Sequence, residues 1–113
     1  MIDLLLAYRI YDMLFAVRVE EAGKSSSTKF QTVNSFEELN RITSNGMALI
    51  VCDLTQVKSE LGAIARLAKD RQWKILGYYP HIDRETERLA HSLGVDYVTP
   101  RSVFQLKLAA ALR

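Results

Sequence analysis

The sequence predicts a three-layer α/β fold, a five-stranded parallel sheet in the order 2-1-3-4-5 with helices on both faces. Three observations carry this. Short apolar runs alternate strictly with helix-period segments over the whole chain, and such alternation implies parallel strands joined by right-handed crossovers. The run Met47 to Leu54 (MALIVCDL) is apolar up to the carboxylate of Asp53, as a central strand covered on both faces requires. Thr28 to Val33 (TKFQTV) mixes strand formers with polar residues, the composition of an edge strand.

Each element has its own signal. Ile2 to Ala7 reads as a buried first strand ended by Tyr8-Arg9. Ile10, Leu14 and Val17 recur at i, i+4, i+7 with Met13 beside them, which predicts a helix running to about Ala22 and stopping at Gly23. Lys24 to Ser27 is a polar loop, too short to link domains. Ser35 with Glu38 forms a capping box for a second helix carrying Phe36, Leu39 and Ile42, ended by Asn45-Gly46. A third helix starts near Ser59, with Leu61, Ile64, Ala65 and Ala68 on one face.

Trp73 to Tyr79 is the fourth strand, closed by Pro80. Asp83 caps a helix with Thr86, Leu89, Ala90 and Leu93 in period, and Gly94 ends it. Val95 to Val98 is a short fifth strand, and Thr99-Pro100-Arg101 turns the chain. Ser102 to Gln105 reads as a second capping box for a last helix through Leu112. Five strands are too few for a closed eight-stranded barrel, so the architecture is flavodoxin-like.

Composition narrows the function. A chain of 113 residues is about one domain, taken here as residues 1–113. A net charge of +2 without a basic block argues against nucleic acid. Asp3, Arg9 and Asp12 interrupt the apolar N-terminus too early for a signal or membrane segment. The lone Cys52 cannot form an internal disulfide, which fits a reducing, cytoplasmic setting. Inside an apolar run it reads as an inert thiol. His81 and His91 lack ligand partners at metal spacing, and His81 reads as an exposed loop histidine. No glycine-rich cradle follows the first strand, and no nucleophile elbow is present, which ranks nucleotide, flavin and hydrolase roles low.

The order of elements, Asp53 ending the third strand, and HSLGVDYVTP leading into the last helix resemble the receiver domain of two-component response regulators over essentially the whole chain. The resemblance implies an aspartate that accepts a phosphoryl group with Mg2+ bound by acidic residues after the first strand. It also implies a hydroxyl residue ending the fourth strand and a lysine before a proline after the fifth. Here the acidic position reads Ala7-Tyr8-Arg9, the hydroxyl position falls at Tyr79, and Thr99 stands before Pro100. An atypical phosphoacceptor would recruit an acidic partner such as Asp12, and Arg101 in the next turn is a substitute for the lysine.

The expectation is therefore a non-catalytic pseudo-receiver, not an enzyme and without a cofactor, in which Asp53 is a vestigial phosphoacceptor. The plainer reading of Asp53 is a cap on the loop after its strand. The sharper one is a remodelled pocket lined by Tyr8, Tyr79 and Thr99, with tyrosines filling the vacated space. The alternatives are a true phosphoacceptor using Asp53 with an atypical acidic partner and Mg2+, or a small-ligand-binding flavodoxin-like domain. Output is expected through a protein partner or a homodimer on the face of the fourth helix, fifth strand and last helix, with Phe104, Leu108 and Leu112 as interface residues. Taken as a whole protein the chain resembles stand-alone receivers that act by docking; taken as a fragment, its output lies in the missing part.

Overall fold

The computed structural model describes residues 1–80 and 83–113; the expectation for His81 falls outside them. Its strands are β1 (Leu4–Tyr8), β2 (Lys29–Val33), β3 (Ala48–Asp53), β4 (Lys74–Tyr79) and β5 (Tyr97–Pro100). They form one parallel sheet in the order β2-β1-β3-β4-β5, as expected. The helices are α1 (Met13–Ser25), α2 (Phe36–Arg41), α3 (Leu61–Arg71), α4 (Arg84–Ser92) and α5 (Phe104–Leu112).

The central strand behaves as its composition demands: Ala48 to Cys52 are all fully buried. Side chains alternate between two cores. One holds Leu6, Tyr8, Ile50, Cys52, Leu54 and Tyr79 together with residues of α2, α3 and α4. The other holds Leu5, Ala7, Leu49, Val51, Leu76 and Tyr78 together with Phe15, Val19, Phe104, Leu108 and Leu112 of α1 and α5.

Helix caps follow the sequence in part. Ser35 accepts from the Glu38 N–H at 3.1 Å and Asp83 from the Thr86 N–H at 3.1 Å, each satisfying an end group with no partner inside its helix. The second helix stops earlier than expected, at Arg41, where Ile42 turns extended. Arg71 then reaches across and donates to the Ile42 carbonyl at 2.9 Å. Gly94 has φ +80 after α4, the left-handed position glycine takes at no steric cost.

Four expectations are corrected. The stripe Leu14, Val17 with Met13 is not the buried side of α1; these residues are 48%, 46% and 79% exposed. Phe15, Val19 and Gly23 face the sheet instead, a second helical period in the same stretch. Gly23 permits the close approach, since a Cβ there would lie 3.3 Å from Leu5 Cδ2.

The turn expected at Thr99-Pro100 is the end of β5, because the chain pairs as far as Tyr79 opposite Pro100. A short 3-10 turn, Arg101–Val103, then leads into α5 without a side-chain cap, so the second capping box does not form.

Phe104, Leu108 and Leu112 are not an interface. At spacing i, i+4, i+8 they make the buried stripe of α5, at 1%, 1% and 8% exposure, and the apolar excess of this helix shows at Leu106, 73% exposed.

Candidate functional site

The loops at the carboxyl ends of the strands build the candidate site, the end where open parallel sheets place theirs. Asp53 is the last residue of β3 and is partly exposed. Its Oδ1 accepts from the Thr55 N–H at 2.9 Å and the Gln56 N–H at 3.2 Å. This is the loop-capping geometry expected of an aspartate after a strand.

Register decides which residues stand beside it. Asp53 pairs with Tyr78, and Tyr78 pairs with Thr99. Paired residues of a parallel sheet share a face and successive residues alternate. Tyr8 pairs with Cys52 and Tyr79 with Pro100, so both tyrosines lie on the opposite face from Asp53. The expected pocket of Tyr8, Tyr79 and Thr99 is therefore not assembled; only Thr99 shares the face of Asp53. Thr99 is fully buried, its hydroxyl donating to the Pro100 carbonyl at 3.1 Å.

Tyr78 is the neighbour that the sequence reading missed, because the register of β3 against β4 that places it is set by the fold. Its ring stacks on Phe15 with centroids 4.5 Å apart and planes inclined 11°, and meets Phe104 at 4.8 Å. The three rings fill the space between the sheet, α1 and α5 beside Asp53. The Tyr78 hydroxyl is buried with no hydrogen-bond partner among the described residues. Burial pushes the phenol well above its ordinary pKa, and the charges of Asp53 and Asp12 add to this, while Arg101 acts in the opposite sense.

On the other face, Tyr8 donates its hydroxyl to Glu60, and Arg9 forms a salt bridge to the same carboxylate. Burial, then Glu60, raises the Tyr8 pKa. Arg9 is left-handed, φ 50, a conformation uncommon for a non-glycine residue. Its N–H donates to the Val33 carbonyl at 2.8 Å and its Nε to the Tyr11 hydroxyl at 3.1 Å. Tyr79 donates to Glu87 of α4 at 2.8 Å.

Mg2+ requires near-octahedral oxygen ligation. Asp12 is the N-cap of α1, accepting from the Leu14 N–H at 2.9 Å and the Phe15 N–H at 3.3 Å, and Asp53 is tied to its own loop. No group of three His, Cys, Asp or Glu residues able to hold a metal occurs among the described residues, and after β1 stands the guanidinium of Arg9. The acidic position that the resemblance places after β1 is thus held by an arginine. Cys52 is fully buried, its thiol pushed up to about 12 by burial, which leaves negligible thiolate. Among the described residues, no helix is long and apolar enough to cross a membrane.

No protein-family model matches the chain, and no curated protein matches it. Two solved structures are similar in fold. A response regulator protein from Burkholderia pseudomallei, with a phosphorylated aspartic acid, calcium ion and citrate, superposes at TM-score 0.74 and 17% identity, over 98% of this chain and 66% of its own. A response regulator from Thermotoga maritima superposes at TM-score 0.75 and 13% identity, over 99% of this chain and 95% of its own. The chain thus spans just under two thirds of the first relative. With its strand order and its aspartate at the end of β3, it has the fold of a response-regulator receiver domain.

Proposed function

We propose that this chain is a receiver-like signalling module that has lost phosphoryl transfer and acts by binding protein. The observation that carries the reading is the row Asp53, Tyr78, Thr99. A buried ring, held between Phe15 and Phe104, occupies the space lateral to the aspartate, where an acyl phosphate needs room and a small hydroxyl. The neutral Thr99 beyond it cannot offset phosphate charge. The residue after β1 supports the same reading, since Arg9, paired with Glu60 on the other face, supplies no carboxylate to a metal.

Binding would use the apolar residues that the fold leaves uncovered on α1 and just before it: Tyr11, then Met13, Leu14 and Val17. Such a cluster is more than scattered surface apolarity. A second reading, phosphorylation of Asp53 with Asp12 as the acidic partner, draws on the fact that both carboxylates act electrostatically on Tyr78.

Incubation with acetyl phosphate and Mg2+, followed by intact-mass measurement, separates the two. No added phosphoryl group is expected. A mass increase of one phosphoryl group that disappears in Asp53→Asn would overturn the proposal.

A further inference from the structure

We infer that the cleft between α1 and the β5–α5 connection binds a small organic anion, a compact apolar body bearing one carboxylate or phosphate. The cleft, about 590 Å³, is lined by Leu14, Arg18, Pro80, Pro100, Arg101 and Gln105 among others, a volume within the usual range for small-ligand sites.

Its charge is unbalanced. The Cζ of Arg101 lies 5.0 Å and that of Arg18 5.8 Å from the centroid of one ring, Phe15. Tyr78 already covers one face of that ring, which leaves the two guanidinium groups its other face and rim. They are therefore no farther apart than the two distances together. Among the described residues neither forms a salt bridge and no carboxylate lines the cleft. Two guanidinium groups set against one ring, neither in a salt bridge among the described residues, favour an anion at the cleft, and their planar donors match carboxylate and phosphate oxygens.

The remaining walls set the rest of the ligand. Leu14, Pro80 and Pro100 offer apolar contact, and Ser102 and Gln105 supply polar side chains at the rim. Inorganic phosphate would use the arginines and waste the apolar wall. The site does not require Asp53, so it stands or falls apart from the phosphorylation question.

The test is amide NMR titration of the full chain with benzyl phosphate and phenylacetate, with benzyl alcohol and inorganic phosphate as controls. Saturable shifts are expected at Arg18 and residues 101–105 with at least one of the two organic anions, and the stronger binder identifies the acid group. Affinity should fall about tenfold or more in Arg18→Gln and in Arg101→Gln, weaken with added KCl, and be unchanged in Asp53→Asn. Benzyl alcohol and inorganic phosphate should each bind at least tenfold more weakly than the better anion. Absence of saturable shifts with both anions into the millimolar range overturns the inference. So does binding that survives the double arginine substitution in a chain whose spectrum remains folded, or binding lost in Asp53→Asn.

Discussion

Replacing Tyr78 by Phe tests whether the aromatic plug beside Asp53 is as the structure has it. The side chain is 1% exposed and its hydroxyl has no partner among the described residues. A buried hydroxyl left unsatisfied carries a desolvation penalty of about 1–3 kcal/mol. Removing the oxygen relieves it, while the contacts to Phe15 and Phe104, made by the ring, remain. The variant should therefore be more stable by about 1 kcal/mol at pH 7, read as a higher urea midpoint with an unchanged m-value.

The pH dependence gives a second check. The folded phenol titrates above its unfolded value of 10.0, chiefly through burial and then Asp53. Tyrosine is neutral when protonated, so its contribution to stability is whole below pH 10. It is lost as pH rises from the unfolded pKa toward the folded one, because the unfolded chain releases the proton first. The advantage of Tyr78→Phe should thus grow above pH 10, by up to about 1.4 kcal/mol per pH unit. Lysine and arginine titration is common to both proteins and cancels. A variant less stable by about 0.5–1.5 kcal/mol, the loss seen for a satisfied hydrogen bond, would refute the reasoning, as would a difference that stays flat above pH 10.

Three further perturbations address the frame of the site. A Cβ at Gly77 would come within 2.3 Å of Leu54 Cδ2, a fully buried side chain next to Asp53; Gly77→Ala should cost about 1–3 kcal/mol in urea unfolding, and less than additively with Leu54→Ala. Phe104→Asp should abolish folding as judged by near-ultraviolet circular dichroism, because it buries a charge in the core, whereas Leu106→Asp should stay within about 0.5 kcal/mol of the parent. Asp12→Ala removes the α1 cap and should cost about 1 kcal/mol; a neutral result would place Asp12 outside that role.

The fold was legible because its signals are redundant. Burial of both faces of β3, the polar edge character of β2 and the caps at Ser35 and Asp83 each point to the same topology, and agreement between levels is what specifies a fold. The site was legible at Asp53 and Thr99 but not between them. Tyr78 and Tyr79 are adjacent in sequence and chemically identical, and a one-residue difference in register sends a side chain to the other face. Only the pairing of Asp53 with Tyr78 decides between them. The same ambiguity misled the reading of α1. Both Leu14–Val17 and Phe15–Val19 fit a helical period, and the larger Phe15 took the sheet because Tyr78 and Phe104 complete an aromatic cluster with it.

The partners of Tyr8 and Arg9 could not be read from sequence at all, since Glu60 lies more than fifty residues away, yet they bear on how such a module would signal. A phosphoacceptor is a switch because its charge changes: a metal and a phosphoryl group arrive and leave. At this end of the sheet the charges are instead intrinsic to the chain. Oδ1 of Asp53 accepts from two backbone N–H groups, and on the other face Arg9 is neutralised by Glu60, to which Tyr8 is also held. On the function proposed above, the domain rests in one state, and there is no differential ligand at Asp53 to shift it toward another. Regulation would then fall to whatever binds elsewhere with different affinity in the free and partnered forms. The arginine cleft and the exposed side of α1 share Leu14, so an anion in the cleft would alter the surface offered to a partner without any change at the aspartate.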